Sequence, residues 1–184
     1  MKTYIIPESK IEQYRQAILA NESSCIEEYK MKLGIMGIEE IEIEEAKKII
    51  KIGESLLVNY NGQLIPMQCI HKYDDGRVVL QSYYLLEQHE FDQNTNVYKD
   101  SEIRRYLNGD FLNKFDPSFV EMLKTTDVHT DDYVTHDKMW LLSHEEIGYL
   151  DDSHMFKPNV GSVVYDYYRK ISDEKSNEDF KEVC

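Results

Sequence analysis

The sequence predicts an α+β protein, in which a helical N-terminal lobe precedes a small antiparallel sheet of three to five short strands with helices packed on it. Three observations predict this class. The chain has 184 residues, 41% of them hydrophobic, which is enough for the core of one domain. Apolar residues recur at helical spacing before residue 53 and again after residue 100. Between these regions, short apolar runs are separated by Asn-Gly and Asp-Gly turns.

The first 52 residues carry the pattern of three amphipathic helices, which we expect over about 7–20, 24–33 and 42–52. Ser24 and Glu27 have the spacing of a capping box, which marks the start of the second helix. Gly34 and Gly53 follow the second and third helices as stop signals. We therefore assign residues 1–52 to a helical N-terminal lobe.

The next segment has the pattern of a three-stranded β-meander. The apolar runs are 56–58, 65–70 and 77–83. Asn61-Gly62 and Asp74-Asp75-Gly76 lie between them, and these residue types tolerate the positive φ of hairpin turns. The sequence therefore predicts an antiparallel sheet built from consecutive hairpins.

Helical signals return after residue 100. Ser101 is placed to cap a helix that ends at Asn108, and Asp116-Pro117 is a typical start for another. Residues 125–137 are polar and are expected to be irregular, whereas 139–142 are apolar and are expected to form a short buried strand. Ser143 and Glu146 form a second capping box. We assign 53–171 to one α+β domain and 172–184 to a charged tail.

The charge balance excludes some functions. The net charge is −14, which argues against a protein that binds nucleic-acid phosphates or docks on an anionic membrane.

Other sequence features exclude further classes of site and location. The three cysteines are far apart, so no disulfide framework is expected. We find no run long enough to span a bilayer and no signal peptide, and we therefore expect a cytoplasmic location. No glycine-rich phosphate-binding motif is present, so no cofactor is expected.

Two segments stand out as motifs: residues 98–108 read YKDSEIRRYLN, and residues 137–146 read DKMWLLSHEE. With the meander before them, they resemble an uncharacterised bacterial domain family that is common in Gram-positive genomes and their prophages. Its members carry W-x-x-S-x-L-R-x-W-L-N followed by D-K-V-F-L-L-S-x-E-E. The resemblance covers about residues 53–150, with Tyr98 and Tyr106 in place of the family's tryptophans.

Members of this family usually continue into a W-W-L-R-S segment, which makes this chain resemble a truncated member. The family has no assigned catalysis, so the resemblance implies a fold and a genomic context but no chemistry. Caps, a helix end and charge pairs account for the polar residues of both motifs. We therefore interpret the motifs as determinants of folding.

The leading functional hypothesis is an acidic phage or mobile-element protein that binds and inhibits a host nucleic-acid-handling machine. Its most concrete form is an anti-CRISPR protein acting on an effector nuclease or its guide-RNA complex. Half of the net charge lies in residues 127–152, and the chain has 14 tyrosines, a residue type enriched at interfaces. The carboxylates expected to contact the basic partner, as mimics of phosphate, are Asp127, Asp131, Asp132, Asp137, Glu145, Asp151 and Asp152.

Two alternatives stay open. His129, Asp132 and His136 are residue types that bind zinc or manganese, which would make the chain a metal-assisted hydrolase or nuclease. The other alternative is a non-catalytic ligand-binding or structural module, for which the family resemblance alone accounts.

Overall fold

The computed structural model describes residues 1–19, 26–130, 133–143, 145–148 and 164–171. The chain divides into two compact units. Unit 1 comprises residues 1–86 and 114–121, and unit 2 comprises residues 87–113 and 122–184. The predicted α+β class with a small antiparallel sheet is confirmed.

Unit 1 is built on a five-stranded antiparallel sheet with the order β2-β1-β3-β4-β5. The predicted meander forms its larger part, as β3 (Ser55–Tyr60), β4 (Gln63–Lys72) and β5 (Val78–Ser82). Asn61 and Gly62 have φ of 48° and 80° in the first hairpin, and Gly76 has φ of 85° in the second. Both predicted turns are therefore confirmed, since these are the backbone conformations that Asn and Gly tolerate best.

The first 52 residues contain the three predicted helices, α1 (Ile11–Leu19), α2 (Ile26–Ile35) and α3 (Ile43–Ile49). They also contribute two strands that the sequence analysis did not predict, β1 (Lys2–Ile6) and β2 (Glu40–Glu42). β1 lies between β2 and β3, so the predicted boundary at residue 52 falls inside one sheet. The N-terminal segment is therefore part of unit 1.

The two faces of this sheet carry separate apolar clusters. Leu57 belongs to the cluster that α1 and α2 cover, whereas Leu56, its neighbour on β3, belongs to the one that α3 covers. This is the alternation expected of a strand with both faces buried. The first cluster contains Tyr4, Ile6, Ile11, Tyr14, Leu33, Ile38 and Leu57. The second contains Ala46, Ile50, Leu56 and Cys69.

Residues 114–121 return to unit 1. Phe115 forms a β-bridge with Tyr60, and the two ring centroids are 5.0 Å apart. α5 (Pro117–Met122) starts at the predicted Asp116-Pro117 signal. The Asp116 carboxylate accepts a hydrogen bond from the backbone N–H of Ser118 at 2.8 Å, and the carboxylate's pKa is lowered by its hydrogen bonds to Ser118.

Unit 2 contains the two sequence motifs. A 3₁₀ turn at Tyr98–Asp100 leads into α4 (Glu102–Leu107), and a hairpin follows from β6 (Thr126–Thr130) and β7 (Tyr133–Asp137). The expectation that residues 125–137 are irregular was therefore wrong. The expected strand at 139–142 is absent from the described part of the chain, where residue 139 lies in a bend and 140–142 have no regular secondary structure. Residues 145–148 form a turn, and 166–171 are helical.

Candidate functional site

The first and second motifs meet through one ion pair. The Arg104 Nε atom lies 3.0 Å from both carboxylate oxygens of Asp137, and Arg104 Nη2 lies 3.0 Å from Oδ1. The Thr135 hydroxyl donates to the same carboxylate at 2.6 Å. The Asp137 side chain is only 2% exposed, and the hydrogen bond to it raises the pKa of Arg104 above its ordinary value. This pair fixes β7 to α4.

Asn108 joins the end of α4 to the start of the second motif. Its amide oxygen accepts from the backbone N–H of Lys138 at 2.8 Å, and its amide nitrogen donates to the carbonyl of Met139 at 2.8 Å. The predicted helix end at Asn108 is confirmed, with φ of −95°, outside the left-handed region that Asn often adopts at such an end. The helix end is instead stabilised by the side-chain amide, which also donates to the Arg104 carbonyl at 3.2 Å.

The predicted capping box in the second motif is confirmed. The Ser143 backbone N–H donates to Glu146 at 2.8 Å, and the Glu146 backbone N–H donates to the Ser143 hydroxyl at 3.2 Å. The buried Glu146 carboxylate also accepts from Trp140 Nε1 at 3.2 Å and from the Tyr165 hydroxyl at 2.7 Å. It therefore holds three separate segments of unit 2 together.

Two further motif residues complete this internal network. The Ser101 hydroxyl caps α4 by accepting from the backbone N–H of Arg104 at 3.3 Å, as predicted. Burial, together with the negative charge of Asp137, raises the pKa of Tyr98 well above its ordinary value, so its phenol stays neutral. The hydrogen-bonded side chains of the two motifs stabilise the fold, and Tyr98 contributes its buried ring rather than a hydrogen bond from its hydroxyl. This supports the interpretation of the motifs as folding determinants.

The hairpin has one buried face and one open face. Val128, Thr135 and Asp137 are buried on the first. The open face carries Asp127, His129, Val134 and His136, because residues of one face alternate along each strand. His136 Nδ1 lies 2.7 Å from Asp127 Oδ1, and these side chains are 70% and 66% exposed. The sequence analysis missed this arrangement, although Thr126, Val128 and Thr130 alternate as in a strand.

The predicted partner-binding residues fall into three groups. Asp127 is exposed on the open face, and Glu145 is half-buried in the turn at 145–148. Asp137 is buried and paired with Arg104, so its carboxylate does not face solvent and is not placed to contact a partner. Asp131, Asp132, Asp151 and Asp152 lie outside the described residues.

The metal-ligating alternative rests on His129, Asp132 and His136. The two histidines share the open face of the hairpin, and Asp132 lies outside the described residues. Within the described ranges, no group of three or more His, Cys, Asp or Glu side chains is arranged to hold a metal ion. The metal site therefore stays a prediction.

The fold and these contacts define a class: an α+β protein in which two polar motifs fasten a short hairpin to a short helix. Residues 75–184 match a family described as a domain of unknown function, DUF6273. The match covers more than half of the chain, and the chain belongs to this family. The expectation of an uncharacterised domain family is thereby confirmed.

Neither a curated protein nor a solved structure matches the chain. Within the described residues, no helix has the length and apolar character to cross a membrane.

Proposed function

We propose that this chain is a non-enzymatic binding protein that uses an acidic surface of unit 2 to engage a basic partner. The observation that carries this proposal is the internal use of the motif side chains. The polar motif side chains form hydrogen bonds within the fold and so have a structural role; they are Arg104, Asn108, Asp137 and Glu146. We therefore assign the binding function to other side chains at the surface, in a chain where carboxylates outnumber basic groups.

The location of the charge supports a basic partner. Eight acids and one lysine lie in residues 127–152, which is half of the net charge of −14. Asp137 and Glu146 are buried and bonded within the fold, so the proposal rests on the other six acids of this segment. Asp127, at one end of this segment, is two-thirds exposed on the open face of the hairpin. Exposed like charges on one segment steer an oppositely charged partner and speed its association. They also repel nucleic acid itself, so the partner is a protein.

The specific form of the proposal is inhibition of a nucleic-acid-handling machine, with an anti-CRISPR protein as the most concrete case. A groove that binds phosphates is lined with Lys and Arg, and carboxylates presented at similar spacing compete for those side chains. The small size of the chain, its acidity and its resemblance to a family common in prophages motivate this form.

A pull-down against purified basic nucleic-acid enzymes, a CRISPR effector nuclease among them, tests the proposal. We expect binding that weakens steeply as salt rises from about 50 to about 200 mM, because the contacts are electrostatic. A triple variant, Asp127→Asn with Asp131→Asn and Asp132→Asn, is expected to bind more weakly and with a shallower salt dependence.

A charge-matched control removes three exposed acids from unit 1 instead: Glu27→Gln, Glu28→Gln and Glu44→Gln. This variant has the same net charge as the hairpin variant, so it is expected to bind like the wild type. Equal loss in both variants would show that bulk charge, not a surface of unit 2, is responsible. Absence of binding, or binding indifferent to salt, would refute the proposal.

A further inference from the structure

The chain contains two Asn-Gly pairs, and the structure places them in different environments. Asn61-Gly62 is the turn between β3 and β4, whereas Asn108-Gly109 ends α4. Asn-Gly is the pair most prone to deamidation in a protein, because glycine has no side chain to hinder attack by its own backbone nitrogen. The sequence alone therefore gives the two pairs the same reactivity.

Deamidation is intramolecular and consumes only water. At Asn61, the Gly62 backbone nitrogen attacks the side-chain carbonyl carbon, and the new C–N bond closes a succinimide ring. The side-chain nitrogen takes up the proton of the attacking amide and leaves as ammonia. Water then opens the ring at one of its two carbonyls, which gives aspartate or isoaspartate. Hydrogen bonds that hold the carboxamide in place oppose the first step.

The Asn108 carboxamide is held on every side. Its oxygen accepts from the backbone N–H groups of Lys138 at 2.8 Å and Met139 at 3.3 Å. Its nitrogen donates to the carbonyls of Met139 at 2.8 Å and Arg104 at 3.2 Å. Rotation of this carboxamide towards the next backbone nitrogen breaks these bonds and leaves half-buried polar groups without partners, which is costly. The fold therefore protects Asn108.

The Asn61 carboxamide is held far less. Residues 61–63 are exposed, and among the described residues we find no hydrogen-bond partner for this carboxamide. The attacking nitrogen, on Gly62, donates to the Asn59 side-chain oxygen at 2.9 Å, in an exposed hydrogen bond. Water replaces an exposed hydrogen bond at little cost, and a loop tip opens more readily than a helix end that is bonded to a second segment. The fold therefore leaves Asn61 reactive.

The products of the reaction alter an anchor of unit 1. The Asn61 backbone N–H donates to the Lys114 carbonyl at 2.8 Å, and the Asp116 backbone N–H donates to the Asn59 carbonyl at 3.1 Å. These bonds hold the segment 114–121 to the hairpin of β3 and β4. Isoaspartate adds a methylene group to the main chain inside a two-residue turn, where loop length fixes the turn geometry. Its formation therefore displaces the groups that make the anchor.

We propose that Asn61-Gly62 is a site of spontaneous covalent modification in the folded chain, where Asn61 deamidates through a succinimide and the product loosens the anchor at 114–116. Asn108-Gly109 is the protected counterpart. The inference concerns unit 1 and is independent of the proposed function.

Peptide mapping by mass spectrometry measures both reactions in one sample of the full chain. The chain is incubated at mildly alkaline pH in water labelled with heavy oxygen, which marks the products formed during the incubation. We expect Asn61 to deamidate at least about tenfold faster than Asn108 in the folded chain, because fewer hydrogen bonds must break. In urea-unfolded chain the two rates are expected to be similar, since local sequence then decides them.

A variant isolates the Asn61 reaction. Asn61→Gly removes the carboxamide and keeps a residue that tolerates the φ of 48° at this position. We expect it to lose the mass gain at residue 61 while the rate at Asn108 is unchanged. After the incubation, the backbone amide of Asp116 is expected to exchange hydrogen faster in the wild-type chain but not in Asn61→Gly.

Equal rates at Asn61 and Asn108 in the folded chain would overturn the proposal. Suppression by folding that is as strong at Asn61 as at Asn108 would overturn it as well. A chain that is fully modified at Asn61 but shows unchanged exchange at Asp116 would refute the loosened anchor.

Discussion

Removal of Arg104 is expected to destabilise unit 2 strongly. The guanidinium contacts both oxygens of Asp137 at 3.0 Å and donates to the Lys99 carbonyl at 2.9 Å. In Arg104→Ala, the Asp137 carboxylate keeps the Thr135 hydroxyl but loses its counter-charge while it is 2% exposed. Leaving the Asp137 carboxylate buried without a counter-charge costs more free energy than the loss of the attraction between the two groups.

The expected cost follows from the burial of the two partners. Breaking a fully buried ion pair costs about 3–5 kcal/mol, whereas an exposed pair contributes about 0–1 kcal/mol. The Arg104 side chain is 27% exposed, so water enters part of the space it vacates. We therefore expect a loss of about 2–4 kcal/mol in the free energy of unfolding. With an m-value of about 2 kcal/mol/M, the urea midpoint falls by about 1–2 M.

Urea unfolding followed by Trp140 fluorescence measures this loss. Trp140 is the only tryptophan in the sequence, and its indole donates to Glu146 within unit 2, so the signal reports on that unit. Asp100→Asn is the control, because the Lys99–Asp100 pair spans 3.5 Å and Asp100 is 64% exposed. The control is expected to lose less than about 1 kcal/mol. Equal losses in the two variants would refute the role assigned to the Arg104 pair.

Three further predictions concern single positions. Ser101→Ala removes the cap of α4 and is expected to cost about 1 kcal/mol in the same urea assay. Gly53→Ala is expected to cost more than about 1 kcal/mol by thermal unfolding, because Gly53 has φ of +92°, a backbone conformation that is strained for a residue with a Cβ, whereas the flexible Glu8 side chain beside it can move aside. Burial and the Glu40 carboxylate raise the pKa of Tyr4 to about 12, so NMR of ring-labelled tyrosine should show its ionisation near that pH, and lower in Glu40→Gln. Because the folded-state pKa exceeds the unfolded one, this stabilisation is present below about pH 10 and is lost as pH rises through about 12.

Local signals predicted much of the fold. The Asn61-Gly62 turn, the Asp116-Pro117 helix start and the Ser143–Glu146 capping box each depend on neighbours within a few residues, and each is confirmed. β2 has only three residues, which is too short to show a pattern. β2 was missed because long-range pairing defines it, whereas β1 (KTYII) does carry β-forming residues, which the sequence analysis did not read as a strand.

The hairpin of unit 2 was missed for a different reason. Its strands carry threonine and histidine between apolar residues, so hydrophobicity alone reads the segment as a polar loop. The burial of Asp137 could not be predicted from the sequence either, because its partner Arg104 lies 33 residues earlier in the chain. A charged residue in the sequence gives no sign of whether it faces solvent or a buried counter-charge, and only the fold separates Asp127 from Asp137.

The most direct test of the central claim is a competition experiment on an effector nuclease. The wild-type chain and the nuclease's guide RNA or DNA substrate are titrated together, and the Kd of the chain is measured at each nucleic-acid concentration. An acidic surface that occupies a phosphate-binding groove predicts mutual exclusion, with the apparent Kd of the chain rising in proportion to the competing nucleic acid. A ternary complex with an unchanged Kd would contradict the account.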